Sequence, residues 1–253
     1  MSQVLKELKS TVFKGCLFFV IVMFIMMVCA LIFDNSPEAM HDNTEITDSY
    51  SQELLDKANG GSPRAQYYMG EYLSQGNGVD VDYEEAVKWY RKSAEQSYIL
   101  AEWELANCYY YGDGVTRNYE EALKWYRRFY DHENGREAEM MIGLCYLNGH
   151  GVKKDGKKGA EWLLKAAKNG DDQAMFYIGE CYLSGNGVAK DHKEAFKWLK
   201  KAALNGHEGA FGRLAECYLH GYGAKKDKEK AEKLLRKAAD LGNAYASETL
   251  NSL

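Results

Sequence analysis

The side chains of this sequence that could do chemistry are six histidines, pairs of adjacent glutamates and a set of cysteines. Cys217 and His220 are spaced to share one helical face, as two ligands of a zinc site would be. Such a site takes a second pair, and none accompanies them; His41, His132, His150, His192 and His207 are scattered. Glu84 with Glu85, and Glu120 with Glu121, could divide acid and base work between two carboxylates. Both pairs fall in the first turn of a predicted helix, where acids complement the helix dipole and face water. Gly-x-Gly turns recur, but a phosphate loop would need a preceding strand and a Gly-Lys-Ser/Thr, which the sequence lacks. The expectation is a non-enzymatic protein with no catalytic residue, cofactor or metal.

The elements that would position these groups follow from a repeat. Ala65, Ala101, Ala138, Ala174, Ala210 and Ala246 open matching units at spacings of 36 or 37 residues. Four residues after each alanine comes an apolar side chain (Met69, Leu105, Ile142, Ile178, Leu214), and next a Gly or Ala, which places them on one helical face. A Gly-x-Gly turn then ends the helix, from Gly76 and Gly78 to Gly221 and Gly223. Asp82 with Glu85, Asn118 with Glu121 and Asp191 with Glu194 have the capping-box arrangement, so a second helix begins there. Its buried side is expected to carry Ala86, Ala122, Ala195 and Ala231, then Trp89, Trp125, Trp162, Trp198 and Leu234. Asn134-Gly135, Asn169-Gly170, Asn205-Gly206 and Leu241-Gly242 are expected to end the second helices. Cys108, Cys145, Cys181 and Cys217 hold one position of the unit. Equivalent sites on stacked helices lie about 8–10 Å apart, beyond the roughly 7 Å Cα separation a disulfide tolerates. The four read as small buried apolar groups.

The unit A-x3-[LMI]-[GA]-x2-Y-x2-G-x-G-V-x6-A-x2-W-x2-[KR]-A-A closely resembles the Sel-1-like repeat, a relative of the tetratricopeptide repeat. The resemblance implies an all-α, right-handed superhelical solenoid of helix pairs that serves as a scaffold for protein complexes. Independently of family, a helix pair cannot bury its apolar face alone, so stacked units must share a core. Repeats are placed at 65–100, 101–137, 138–173, 174–209 and 210–245, with a capping half-repeat at 49–64 and a C-terminal cap at 246–253. A cysteine-rich secreted subgroup of the family, some of whose members bind or hydrolyse β-lactams, pairs two cysteines per repeat; this chain has at most one in any repeat.

Ahead of the repeats, Gly15 to Phe33 is an uncharged run of 19 residues, about as long as a bilayer's hydrocarbon core requires. It exceeds a signal peptide's apolar core and lacks a small-x-small cleavage site, so it reads as an uncleaved transmembrane anchor. Lys6, Lys9 and Lys14 before it favour a cytoplasmic tail at 1–14 and an extracytoplasmic remainder, periplasmic or at the cell surface in a bacterium. If the segment is cleaved instead, the same repeats form a secreted factor. Residues 34–48 are acidic, without periodicity, and read as a solvated tether. A net charge of −5, from 32 basic and 37 acidic residues, offers no footprint for nucleic acid. Within the repeats, 61–137 carry 14 acids and 9 bases whereas 138–253 carry 15 acids and 19 bases, which gives the array opposite poles.

By analogy with tetratricopeptide-like arrays, a groove would be lined from the first helices at sites two, six, nine and ten after the leading alanine. This register gives Tyr67, Trp103, Met140 and Phe176, then Asn107, Leu144 and Glu180 with Glu71, then Tyr110, Leu147, Leu183 and Leu219, with Tyr111. Aromatic and methionine side chains there suit a protein or peptide partner, or pack as core between first helices. Trp103, Tyr110 and Tyr111 cluster on the irregular second unit, which has Phe129 and Tyr130 in place of an alanine pair and one extra residue before Ala138. Two other readings stay open: a cell-envelope protein acting on peptidoglycan-like or β-lactam ligands, and a quality-control adaptor of the endoplasmic reticulum. The first would require a polar cluster in the groove.

Overall fold

The computed structural model describes residues 50–132 and 135–253. The anchor at 15–33, the tether at 34–48, Cys16, Cys29, His41 and the expected helix end at Asn134 lie outside them. The described residues contain twelve α-helices, one 3-10 turn and no strand. None of these helices is long and apolar enough to cross a membrane. A single helix, α1 (Gln52–Asn59), precedes five pairs: α2 (Pro63–Gln75) with α3 (Tyr83–Glu95), α4 (Ile99–Tyr111) with α5 (Tyr119–Tyr130), α6 (Ala138–Asn148) with α7 (Gly156–Lys168), α8 (Asp172–Ser184) with α9 (His192–Leu204), and α10 (Glu208–His220) with α11 (Lys228–Asp240). A last helix, α12 (Ala244–Ser252), follows. Each helix packs on the next in chain order, so the core is a continuous seam along a solenoid.

Local chemistry starts and stops each element. Asp82, Asn118 and Asp191 cap α3, α5 and α9 by accepting backbone N–H bonds from the residue three ahead. The expected reciprocal glutamate does something else: Glu85, Glu121 and Glu194 pair with Lys88, Lys124 and Lys197 one turn on. Asp155 and Asp227 cap α7 and α11 in the same way although Lys158 and Lys230 stand at the glutamate position. The second helix of this unit ends at its cap, Asp131, and a 3-10 turn, Gly135–Glu137, leads into Ala138.

In three of the five repeats the large buried residue lies one position from where the sequence pattern puts it, while Trp89 and Trp198 are buried as expected. Trp125, Trp162 and Leu234 are half-exposed, while the next residues along, Tyr126, Leu163 and Leu235, are fully buried. Trp89 and Trp198 are buried at the margin, and lysine or arginine one turn on covers each indole: Lys92 over Trp89, Arg128 over Trp125, Lys165 over Trp162 and Lys201 over Trp198.

From the second repeat on, each unit is joined to the one before it at the second glycine of its Gly-x-Gly turn. Gly151 has a φ of +67°, and a Cβ there would collide with the backbone carbonyl of Tyr119 in the preceding repeat. Gly114, Gly187 and Gly223 face the carbonyls of Tyr83, Gly156 and His192 in the same way. The turn therefore ends one helix and also lets the next unit seat on backbone.

Candidate functional site

The candidate face is the first-helix side of the N-terminal repeats, and the structure distributes the sequence-selected residues unequally over it. Tyr111 is 59% exposed at the end of α4. Tyr110, half-buried beside it, packs edge-on against Tyr111, Tyr119 and Tyr126, and its hydroxyl lies 3.1 Å from Nδ1 of His150. His150 stacks on Tyr119 at 4.1 Å, and its ring is held below the usual histidine pKa by burial and by Arg117.

Trp103 is half-buried against Tyr126 and Phe129, with ring centroids 5.4 and 5.2 Å away. Phe129 is buried, and Tyr130 packs edge-on against Trp162 at 5.0 Å. The bulky pair that makes the second repeat irregular thus fills space between helices. Asn107 accepts a hydrogen bond from the Tyr126 hydroxyl at 2.8 Å, which fixes both side chains. Tyr67 is half-buried among Tyr68, Tyr90 and Tyr98. Phe176 stacks on His207 at 4.5 Å, and Glu180 is bound by Arg213 at 2.8 Å.

Met140 is different. It is buried, as are Leu144 and Leu147 on the same helix, so these side chains are core and not an open lining. Every residue of α6 up to Leu147 is buried. Gly143 and Gly159 bring α6 and α7 together almost backbone to backbone, since a Cβ on Gly159 would stand 2.8 Å from the Gly143 carbonyl oxygen.

A polar cluster that the sequence register reached only through Glu71 underlies the aromatic one. Glu71 accepts from the Tyr90 hydroxyl at 2.6 Å and from Gln75 at 3.0 Å. Ser74 lies 3.0 Å from the same hydroxyl. Glu104, on the next first helix, is held above the usual carboxylate range by burial, reinforced by Glu71. The signal for this cluster was the unexplained polar residue three after Ala101, at a register where other units hold Tyr68, Met141, Tyr177 and Arg213.

The four repeat cysteines are free thiols. Burial pushes the thiols of Cys145 and Cys217 up to about 12 and that of Cys181 to about 11, which removes thiolate character at neutral pH. Among the described residues no three His, Cys, Asp or Glu side chains converge in a way that could hold a metal ion.

The Sel1 repeat pattern matches residues 63–98, 99–134, 136–171, 172–207 and 213–243. No curated protein matches the chain. Among solved structures, a Sel1 repeat protein from Oxalobacter formigenes is 33% identical over 88% of this chain and 82% of its own, with a TM-score of 0.69. A protective antigen of uropathogenic Escherichia coli, described as having an SLR fold, is 32% identical over 78% of this chain with a TM-score of 0.67. This chain spans only 42% of that antigen's length. A Sel1 repeat protein of Klebsiella pneumoniae shares the fold at 22% identity, over 79% of this chain and 97% of its own, with a TM-score of 0.50.

Proposed function

The chain belongs to the Sel1 repeat family, and on that premise we propose that it is a non-catalytic interaction module whose first-helix face, in the first two repeats, takes a protein or peptide partner. One observation carries the reading. Tyr111 stands 59% exposed at the edge of a cluster in which Tyr110, Tyr119 and Tyr126 are engaged with one another and with His150. A rigid aromatic bed with one ring left to solvent is the arrangement that interface hot spots use. Trp103 and Asn107 then act as support, and Tyr67 borders the same face.

The proposal includes location. The apolar run at 15–33 anchors the chain in a membrane, and the lysines before it place the repeats outside the cytoplasm. The acidic stretch at 34–48 is the tether between that anchor and the repeats.

A photoreactive side chain at Tyr111, in membranes from the native host, is expected to give a discrete protein adduct. The same group at Lys124, on an exposed second-helix face, is the control. Equal labelling from both positions would remove the support for this face. Protease added to spheroplasts, which opens the periplasm, should degrade the repeats while carbonate washing leaves the chain in the membrane; release by carbonate would overturn the anchor.

A further inference from the structure

The repeat register supplies an internal comparison. Glu180 lies six residues after Ala174, and Arg213 three residues after Ala210 in the next unit. Their side chains meet at 2.8 Å, and Arg213 also reaches Glu216 at 3.0 Å. The same two register positions in the first and second units are Glu71 and Glu104. Where the C-terminal repeats hold a guanidinium between carboxylates, the N-terminal repeats hold a second carboxylate. Among the described residues no lysine, arginine or histidine pairs with Glu71 or Glu104.

Aromatic rings surround this place. Tyr67 lies 6.0 Å from Tyr90 and 5.4 Å from Tyr98, and Tyr90 donates its hydroxyl to Glu71. Both carboxylates act on Tyr67 and Tyr90, and Glu104 also acts on Tyr126. The face is continuous through α4 with Trp103, Tyr110 and Tyr111. Two acids beside ring faces, half-withdrawn from water, are complementary to a cation carried on an apolar stem. The wider charge pattern agrees, because residues 61–137 hold 14 acids against 9 bases.

We propose that the first-helix face of the first two repeats docks a peptide segment of its partner through an arginine or lysine side chain, seated between Glu71 and Glu104 against Tyr67, with the buried Tyr90 hydroxyl orienting Glu71. This rests on the docking role proposed for the same face. The partner's cation takes the place that Arg213 fills at the other end of the array. It would relieve the repulsion between the two carboxylates, so the site gains more from a basic side chain than an exposed acid would.

The test uses the full chain in detergent micelles and immobilised dodecapeptides of Ala, Ser, Leu and Tyr with one variable central residue. Arg- and Lys-centred peptides are expected to bind about tenfold or more tighter than citrulline-centred ones. E71Q and E104Q should each lose most of that preference. E104R, which copies the Glu180–Arg213 arrangement, should abolish it, while E120Q on an exposed second-helix position should keep it. Circular dichroism melts identify any variant that is simply unfolded. If all peptides bind alike and binding still falls in Y111A, the face docks peptides but the cation preference is overturned. If no peptide binds, the docking role fails with it. A preference for arginine that survives E104R in the folded protein also overturns the proposal.

Discussion

Oε2 of Glu102 lies 3.0 Å from Nε2 of His132, thirty residues further along and beyond the end of the partner helix. The same separation recurs through the array. Gln96 donates to Gln66 at 2.8 Å, Asn169 donates to Glu139 at 2.8 Å, and Asn205 approaches the Met175 sulfur at 3.6 Å. The residue after each leading alanine is therefore a buried contact with the end of its own second helix. Polar pairs hold that place in the first three repeats, and a methionine and a phenylalanine hold it in the last two.

Arg128 Nε lies 2.6 Å from the fully buried Glu102 carboxylate, and a second Arg128 nitrogen donates to Ser97, whose φ is +66°. Removing one member of a buried pair leaves a charge without compensation, whereas an apolar residue of similar shape does not. R128A is expected to cost about 1–3 kcal/mol, reduced because the arginine is partly exposed. E102M, which copies Met175, should cost less. Urea unfolding of both variants decides the order, and a more stable R128A than E102M would contradict it.

Burial raises the pKa of Glu102, Glu104 and Glu180 above the ordinary glutamate value of about 4.5. Folded-state values above unfolded ones mean stability that is fully present below 4.5 and lost as pH rises through the folded values. These acids should favour the fold as pH falls from neutral. His150 opposes them, because its lowered pKa costs stability as pH drops below 6.5. Urea midpoints across this range should rise less on acidification in the E102Q/E104Q/E180Q variant than in the parent. Equal pH slopes would refute the assignment.

Gly151 and Gly170 both have positive φ, +67° and +105°, but only Gly151 faces another repeat's backbone; nothing lies within 4 Å of a Cβ on Gly170. G170A is expected to cost about 1 kcal/mol, the backbone penalty alone. G151A must separate two repeats, so its loss should be larger and the urea m-value should fall as the array stops unfolding in one step. Matching losses would mean that the second glycine is conformational only.

Burial holds the Cys108 thiol up to about 12 even though the side chain is only half-buried. Iodoacetamide reacts with thiolate, so native Cys108, Cys145, Cys181 and Cys217 should be alkylated more than about tenfold slower than in urea. Mass mapping of each site gives the rates. Rapid native modification of Cys108 would show an accessible, ionised sulfur.

The sequence by itself determined the solenoid. Alanines at intervals of 36 or 37 residues, paired glycines and polar caps are local rules, each satisfied within a few residues of chain, and repetition multiplies them. It also set Tyr111 apart from the other units, which hold Gln75, Asn148, Ser184 and His220 at the same position. Which neighbours close over a side chain is a different matter, fixed by distances between helices that one repeat's pattern does not contain. Met140 has the register of Tyr67 and Trp103 yet is core, because the Gly143–Gly159 approach and the flanking repeats close around α6. Trp125 and Trp162 have the aromatic signature of a core layer yet stand at its margin, one residue from Tyr126 and Leu163, since helix rotation in the stack decides which of two adjacent large residues points inward. The meeting of Glu180 and Arg213 was likewise decided by tertiary structure, with Glu71 and Glu104 at the same two register positions of the first two repeats: residues 33 apart face each other only after consecutive first helices are laid side by side.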